Sequence, residues 1–303
     1  MLAEPLARQI DLHSEARRVA AGVDGLFEAY LKFPGDGRDR LYQAMRHAGI
    51  GGGKRLRPLL TVAAARLFQL DEQRALRAGT AIEAIHVYSL IHDDLPCMDD
   101  DDLRRGKPTV HKAFDEATAV LAGDCFHDLA FEILADPDTH EDPFVRSDLV
   151  LELARASGPA GMGGGQMLDL AAEGRPLEIG AIARLQQLKT GALIEFAVEA
   201  ACIMARLPVA ARAPYRAFGH DIGLAFQICD DLLDSGGDEA VAGKRLGKDA
   251  EAGKATFVSL LGAERAQQQA QVLVDQAIGH LHQHGDEADL LRAIARFVLQ
   301  RDW

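Results

Sequence analysis

Proline is scarce in this sequence, and few stretches alternate between apolar and polar residues, so little in it favours β-strands. Only 11 prolines occur in 303 residues, while alanine is abundant. Apolar residues instead recur at spacings of three and four over long segments, which is typical of helices. Internal repeats, low-complexity tracts and linkers are also absent. We therefore predict one all-α domain over residues 1–303, a bundle of about ten or more helices.

The apolar periodicity predicts ten helices along the chain. They cover residues 14–31, 37–48, 57–69, 72–95, 112–135, 143–157, 178–205, 211–235, 255–282 and 286–301. Asp142 and Pro143 are the residue types expected of a helix N-cap followed by proline in the first turn. Loops are predicted at 136–142, 171–176 and 235–253.

Cysteine is also scarce, and its spacing excludes a disulfide framework. The four cysteines lie far apart with no C-x-x-C pair, at Cys97, Cys125, Cys202 and Cys229. No apolar run is long enough to span a membrane, and the first residues lack the basic-then-apolar pattern of a signal peptide. We expect a soluble cytoplasmic protein that is not exported.

Positive charge is in deficit, with 33 basic against 46 acidic residues and a net charge of −13. This balance argues against a nucleic-acid partner bound through a basic surface. A Walker A loop is absent, and so is the D-x-D-x-D-G loop with a distal glutamate that a calcium-binding module would carry.

Six aspartates lie within ten residues, between 93 and 102, where an apolar helical run ends. Carboxylates this close repel one another unless cations lie among them, and oxygen donors suit Mg²⁺. Arg104 and Arg105 follow at once and suggest that the metal's other partner is a phosphate. Taken alone, the stretch fits a solvated acidic loop equally well.

A second acidic group lies far along the chain, in F-Q-I-C-D-D-L-L-D at 226–234. Gln227, Asp230, Asp231 and Asp234 are spaced so that they share one helical face. The flanking residues are apolar, and carboxylates on a buried face require a countercharge. The following glycine-containing loop supplies basic residues, namely Lys244, Arg245, Lys248 and Lys254. We expect the two aspartate groups to face each other across a cavity that holds Mg²⁺ and a diphosphate.

The segment G-G-G-K-R-L-R-P at 51–58 precedes a predicted helix. Its glycines let backbone amides approach an anion, and Lys54, Arg55 and Arg57 supply positive charge. Without other features, a flexible turn with solvated basic residues explains such a short motif better. His86 lies two helical turns before Asp93, on the same face, and is either a core residue or part of the same site.

Two further segments carry polar residues in apolar surroundings. Gln166 and Asp169 follow a glycine run that either opens or interrupts a helix. Lys189 and Thr190 lie inside an apolar helix, where a buried lysine needs an anionic partner such as a phosphate. A lysine that extends to the surface is the alternative.

Taken together, these segments resemble the trans-isoprenyl diphosphate synthase (polyprenyl synthetase) family, most closely its bacterial farnesyl-type members. The matching segments occur in the family's order: G-G-K-R-L-R-P at 52–58, D-D-L-P-C-M-D-D-D-D-L-R-R-G-K-P at 93–108, G-G-Q-M-L-D-L at 164–170, K-T at 189–190, F-Q-I-C-D-D-L-L-D at 226–234 and G-K-R-L-G-K-D-A-E-A-G-K-A-T at 243–256. Any one of these segments alone is weak evidence for the family, whereas six of them in the family's order between residues 50 and 260 are specific evidence.

The resemblance implies an all-α bundle around a deep central cavity, usually as a homodimer. It implies a Mg²⁺-dependent prenyltransferase with three ions per site, for which Mn²⁺ is an expected substitute. The implied reaction condenses isopentenyl diphosphate head-to-tail with dimethylallyl and then geranyl diphosphate to give (2E,6E)-farnesyl diphosphate. Geranyl and geranylgeranyl diphosphate are the alternative products.

The resemblance also assigns roles by position. Metal binding falls to Asp93, Asp94, Asp99, Asp230, Asp231 and Asp234. Isopentenyl diphosphate would be held by Lys54, Arg57, His86 and Arg105, and the allylic diphosphate by Arg104, Lys189, Thr190, Gln227, Lys244 and Lys254. Gln166 and Asp169 would line the same site. Catalysis would depend on Asp93, Asp94, Asp99, Arg104, Lys189, Asp230, Asp231 and Lys244. Independently of the resemblance, we expect the tail Arg301-Asp302-Trp303 to close over the site, where Arg301 would approach a phosphate.

Two related functions compete with this interpretation. A class I terpene cyclase should lack G-G-K-R-L-R-P and carry an asparagine/serine/glutamate metal motif in place of the second aspartate group, and this chain has the opposite on both counts. A non-catalytic subunit of the same fold should have lost aspartates or arginines from the motifs, and none is missing.

Product length is assigned by the resemblance to Tyr88 and Ser89, five and four residues before Asp93. An aromatic residue there, with Pro96 and Cys97 inserted before the last aspartate of the motif, is typical of farnesyl-type enzymes. A helical wheel, by contrast, places Ser89 nearest the line below Asp93.

We predict that Tyr88→Ala lengthens the product, because it removes bulk that limits chain growth. Chromatography of products formed from isopentenyl diphosphate measures this, and an unchanged product chain would contradict it.

Overall fold

The computed structural model of the chain describes residues 11–172, 174–175, 177–236 and 256–300. The all-α prediction is confirmed. The helices are α1 (Leu12–Tyr30), α2 (Asp39–Gly49), α3 (Leu56–Leu67), α4 (Glu72–Asp93), α5 (Val110–Ala113), α6 (Glu116–Ala135), α7 (Pro143–Ser157), α8 (Met162–Ala172), α9 (Ile179–Gln186), α10 (Ala192–Met204), α11 (Ala213–Gly236), α12 (Phe257–Leu261), α13 (Ala263–His280) and α14 (Asp289–Leu299). Short 3-10 turns, Val209–Arg212 and Asp286–Ala288, precede α11 and α14, and a π-helical turn, Gln187–Gly191, joins α9 to α10.

Several helices begin at an aspartate that satisfies a free backbone N–H of the first turn. The carboxylate of Asp71 accepts from the backbone N of Arg74 at 2.9 Å, where α4 begins. Asp142 accepts from the backbone N of Phe144 at 2.9 Å, and Pro143 opens α7. The predicted cap and proline at this position are therefore confirmed.

Helix α4 lies at the centre of the bundle, because nearly its whole length is apolar on several sides. Ala78, Ala81, Ile82, Ala84 and Ile85 have no exposed surface. Helices α3 and α6 pack on α4, α10 packs on α3 and α11, and α13 packs on α11. The two helices that end in the aspartate groups, α4 and α11, thus belong to one shared core. In the described part of the chain, no helix is both long and apolar enough to cross a membrane.

The structure corrects several predicted boundaries. Residues 112–135 form two helices, because Asp115 adopts an extended conformation and caps α6 instead of continuing α5. Residues 257–280 are likewise divided, at Gly262, whose φ of +78° no ordinary helix contains. The glycine-rich segment is helical over α8, and a two-stranded antiparallel hairpin, β1 (Leu103–Arg104) and β2 (Lys107–Pro108), follows the first aspartate group.

Arg55 is less available to an anion than the sequence suggested, because its charge is already paired within the protein. Its side chain is 1% exposed and donates to Glu83 at 2.9 Å and to Asp24 at 2.8 Å. It also donates to the carbonyl of Gly49 and lies 5.7 Å from the ring centre of Phe27. The reason is its backbone: a φ of +49° at Arg55 turns this side chain inward, just before α3 begins. Arg55 thus connects the segment 51–58 to α1, α2 and α4 through hydrogen bonds.

We predict that Arg55→Met destabilises the protein by about 3–5 kcal/mol, because it leaves the carboxylate of Glu83 buried without a countercharge. Urea unfolding followed by circular dichroism measures the change. Arg38→Met is the matched control, since Arg38 pairs with Asp36 on the surface, and its unfolding midpoint should not move. Equal midpoints for the two variants would contradict the prediction.

Candidate active site

A cavity of about 730 Å³ lies between α1, α4, α11 and the β1–β2 hairpin. Its lining includes residues from three of the motifs singled out from the sequence, together with His86. The ionisable ones among them are Lys54, Arg55, Arg57, His86, Asp94, Arg104, Arg105, Lys107 and Asp230. The expectation that the two aspartate groups share a cavity is met by Asp94 and Asp230. They approach it from the ends of two different core helices.

The chain folds back on itself directly after α4. The backbone N of Asp99 donates to the carbonyl of Asp93 at 2.8 Å, and that of Asp101 donates to the carbonyl of Asp94 at 3.2 Å. The hairpin turn that follows has positive φ at both central residues, Arg105 (+52°) and Gly106 (+74°), as a tight two-residue turn requires. This turn brings the basic residues back to the aspartates, where Arg104 Nε donates to Asp94 Oδ1 at 2.6 Å.

Ionised carboxylates are costly in this position. Burial raises the pKa of Asp93 to about 6, Asp99 and Asp169 add to the rise, and Lys189 and Arg104 oppose it. Burial also raises the pKa of Asp94 to about 6, against the effect of its bonded Arg104. The first aspartate group therefore has more negative charge than its protein neighbours neutralise.

Much of the remaining lining of the cavity is cationic. Burial lowers the pKa of His86 well below its usual range, and the nearby Arg57, Arg105, Arg104 and Arg55 lower it further. His86 is therefore a neutral ring among guanidinium groups. Burial also lowers the pKa of Arg105, although part of its surface stays exposed, and a guanidinium nevertheless keeps its proton. Positive charge collected in one wall of a cavity suits an anionic ligand.

The π-helical turn carries Lys189 and Thr190. A π turn inserts one extra residue into a helix, and such insertions are frequent at functional sites. Lys189 Nζ lies 2.7 Å from Asp169 Oδ2, which joins the turn to α8. The turn and α8 pack so closely that a Cβ added at Gly165 would lie 2.2 Å from the backbone N of Lys189. Sequence periodicity gave no sign of the π turn.

Asp231 is held differently from Asp230. Thr190 Oγ1 donates to Gln227 Oε1 at 3.2 Å, and Gln227 Nε2 donates to Asp231 Oδ1 at 2.9 Å. The other oxygen of Asp231 accepts from the backbone N of Phe257 at 3.0 Å, where α12 begins. Asp231 is 4% exposed. In this arrangement it links the π turn, α11 and α12, whereas Asp230 lines the cavity.

The remaining candidates lie in varied surroundings. Asp99 is exposed after α4, and Asp234 is half-buried in the last turn of α11. The side-chain nitrogen of Gln166 is buried and has no hydrogen-bond partner among the described residues. Three predicted residues lie outside the described ranges: Lys244, Lys254 and Arg301.

The donor set fits Mg²⁺ rather than a metal held wholly by protein. Its members are carboxylate oxygens, which hard divalent ions prefer. Over the described residues, no three histidine, cysteine, aspartate or glutamate side chains are arranged to hold a metal by themselves. Mg²⁺ commonly binds through one or two carboxylates and completes its shell with water and substrate phosphates. Asp93, Asp94, Asp99 and Asp230 suit such shared coordination.

The two chain-length candidates face different surroundings. Tyr88 lines a second cavity, of about 640 Å³, together with His127 and Phe131 of α6. The hydroxyl of Ser89 instead donates to the carbonyl of His86, one turn back, at 2.9 Å. The helical wheel had favoured Ser89. The sequence analysis did not identify His127 and Phe131 as neighbours of Tyr88. Their spacing of four residues places them on one face of α6 and could have indicated a shared contact.

We predict that Asp93→Asn stabilises the cation-free protein at pH 8 by about 1–3 kcal/mol, because it removes a buried charge. The pKa of Asp93 is raised from 3.8 to about 6 on folding, so its contribution is favourable at low pH and is lost as the pH rises through 6. The stability of Asp93→Asn should not show this decrease as the pH rises.

Thermal unfolding in chelator at pH 5 and pH 8 measures the effect. Asp128→Asn is the control, because its side chain is 86% exposed. An Asp93→Asn protein less stable than the parent at pH 8 would refute the prediction.

Comparison with known proteins agrees with this geometry. The chain matches the polyprenyl synthetase family over residues 38–296. It is 45% identical to farnesyl diphosphate synthase of Escherichia coli (strain K12), over 86% of this chain and 89% of that protein. An apo crystal structure of an FPP/GFPP synthase from Zymomonas mobilis is 56% identical, with a TM-score of 0.88 over 95% of this chain and 99% of that one.

A crystal structure of a geranyltransferase from Helicobacter pylori, complexed with magnesium and isoprenyl diphosphate, is 31% identical. Its TM-score is 0.82 over 99% of this chain and 98% of that one. The family match spans most of the sequence, and the similarity to these proteins extends over nearly all of it. This chain belongs to the polyprenyl synthetase family.

Proposed function

We propose that the chain, as one domain, is a prenyltransferase that condenses isopentenyl diphosphate with dimethylallyl and then geranyl diphosphate to give (2E,6E)-farnesyl diphosphate. The observation that carries this is the cavity itself. The buried Asp94 after α4 and the half-buried Asp230 of α11 line one part, and an arginine-rich wall with a neutral histidine lines another. Two anionic substrates need two such regions, and the farnesyl diphosphate synthase relative supports the product.

The allylic diphosphate binds at the aspartate side. Bound Mg²⁺ there supplies charge neutralisation of the departing diphosphate, and Asp93, Asp94, Asp99 and the aspartates of the second group hold it. Lys189 and Arg104 are already paired with Asp169 and Asp94, at 2.7 and 2.6 Å. They are preorganised donors close to where negative charge develops as the allylic C–O bond breaks.

Isopentenyl diphosphate binds at the cationic wall. Lys54, Arg57 and Arg105 hold its diphosphate, and His86 offers a neutral ring nitrogen as a hydrogen-bond partner. Fixing this group orients the double bond toward the allylic carbon. The entropy loss of bringing the two reactants together then occurs on binding and no longer adds to the activation barrier. The electron pair of that double bond forms the new C–C bond at the allylic carbon, and a proton then passes to the released diphosphate, which restores a double bond.

The intermediate cation must be kept from water. Val87, Leu90 and Ile91 contribute apolar side chains of α4 to the cavity wall beside Asp94. An apolar wall supplies no nucleophile to trap an allylic cation, and it strengthens nearby electrostatic interactions. No protein nucleophile is required.

A longer product is a second candidate. It is favoured by the Zymomonas mobilis structure at 56% identity, which is described as an FPP/GFPP synthase and so names two products. The cavity beside Tyr88 is space of the kind that a longer prenyl chain would occupy. Geranyl and geranylgeranyl diphosphate remain the alternatives within the family.

Three Mg²⁺ ions per site, replaceable by Mn²⁺, are part of the proposal, and the magnesium of the Helicobacter pylori complex supports the choice of metal. The assignment of Lys244 and Lys254 to the allylic diphosphate, and the cytoplasmic location, remain predictions from the sequence.

We expect purified protein, given labelled isopentenyl diphosphate, dimethylallyl diphosphate and Mg²⁺, to form farnesyl diphosphate as its main product. Excess chelator should abolish product, and Mn²⁺ should restore it. Asp94→Asn and Asp230→Asn should each lower kcat/KM about a thousandfold, since several kcal/mol of transition-state stabilisation depend on metal-held charge.

Asp128→Asn is the matched control and should retain parental activity, because its side chain is 86% exposed on α6. Condensation that persists undiminished in chelator would refute the proposed function, and so would an absence of prenyl product under every metal condition.

We further propose a homodimer. Large apolar side chains stay exposed on the neighbouring helices α6, α7 and α8: Val120, Leu121, Phe144, Leu151, Met167 and Leu168. An apolar surface of this kind is expected to be covered by another protein surface. Sedimentation should give twice the chain mass, and Leu121→Lys with Met167→Lys should shift it toward one chain mass. A parent protein that sediments as a monomer at micromolar concentration would contradict the proposal.

A further inference from the structure

Four side-chain rings contact one another in a row between α4 and α6. The centroid of Tyr88 is 5.4 Å from that of His92 and 5.4 Å from that of His127, both in edge-to-face geometry. The ring of His127 is in turn 5.0 Å from that of Phe131. Edge-to-face contacts at these separations are favourable. We call this row, His92–Tyr88–His127–Phe131, the ring row.

The two ends of the ring row differ in how firmly they are held. His92 Nε2 lies 3.1 Å from the carbonyl oxygen of Val120. Its ring also fits against Gly123, where an added Cβ would lie 2.1 Å from Nε2. His92 is therefore fixed between α4 and α6. His127 has a more open position: its side chain is 43% exposed. Phe131 is its other ring neighbour in the row.

The ring row also borders empty space. Tyr88, His127 and Phe131 form one side of the cavity of about 640 Å³, and Gly163, Gly164 and Met167 of the α7–α8 region lie on the other. Helix α8 also carries Asp169, which pairs with Lys189 near Asp93. The cavity therefore lies next to the proposed allylic site, and Tyr88 forms part of its wall.

We propose that His127 is a positioning residue for product chain length, which acts by holding the ring of Tyr88 in place. The proposal rests on the proposed prenyltransferase function. Since His92 is held in place between α4 and α6, the more exposed His127 is the ring contact of Tyr88 that is less firmly fixed. Removing the imidazole opens that side, lets the Tyr88 ring rotate, and adds depth to the cavity for a longer chain.

The experiment compares the products of the parent with those of His127→Ala, His127→Phe and Tyr88→Ala, each given isopentenyl and dimethylallyl diphosphate. We expect His127→Ala to raise the ratio of C20 and longer products to C15 product by about tenfold or more, the range of discrimination that an apolar pocket gives per small group. His127→Phe keeps a ring at the same place and should keep the parental ratio. Glu132→Ala, an exposed change on the same helix, is the control.

The double variant tests whether His127 acts through Tyr88. If it does, Tyr88→Ala with His127→Ala should give the same product ratio as Tyr88→Ala alone. A double variant whose ratio multiplies the two single effects would overturn the positioning role. An unchanged ratio in His127→Ala, with the parent forming farnesyl diphosphate, would overturn the proposal outright.

Failure of the proposed prenyltransferase function is distinguishable from failure of the His127 proposal, because the parent protein itself would then form no prenyl product. Should His127→Ala not fold, as judged by circular dichroism, His127→Ser supplies the same test, since it also removes the ring and leaves a small side chain. A parental ratio in His127→Ser would also overturn the proposal.

Discussion

The structure depends on placing ionisable carboxylates at the buried end of a core helix. Helix α4 is central because its apolar residues pack on several sides, and its last turn delivers Asp93 and Asp94 into surroundings where ionisation is costly. Positive charge must come from elsewhere in the chain. It comes from the hairpin through Arg104 and from the π turn through Lys189.

Those same cations are the groups proposed to hold substrate phosphate, and this links folding to binding. In the described structure Arg104 bonds to Asp94 and Lys189 bonds to Asp169. Each pair keeps a cation in place and offsets part of the desolvation cost of its partner carboxylate. When metal and diphosphate bind, both carboxylates and cations gain a stronger counterion. The buried charges that are costly in the ligand-free protein would thus match the charge that develops on the diphosphate in the transition state.

Much of this arrangement could be predicted from the sequence, because it is encoded by local patterns. The helical periodicity predicted most elements within a few residues, and the Asp142–Pro143 cap was correct in detail. The presence of Asp94, Arg104 and Asp230 at one cavity followed from charge: separate buried groups of opposite sign require each other. Residues whose chemistry demands a partner are thus the ones that sequence reasoning brings together.

The rest depends on backbone geometry, which residue types specify poorly. Arg55 and Arg57 are two residues apart and equally basic, yet Arg55, whose φ is positive, pairs with the buried Glu83, a partner that residue types alone do not reveal. Asp230 and Asp231 are adjacent, and only the position of α12 decides that Asp231 accepts the backbone N–H of Phe257.

The π turn is the clearest case, because one extra residue inside a helix leaves no mark in a three-and-four periodicity. Gly165 explains how it can exist: without a side chain there, α8 approaches the backbone of Lys189 directly. The glycines that seemed from the sequence to interrupt a helix therefore allow two helical segments to meet. That contact sets where the lysine and its aspartate partner lie relative to Asp93.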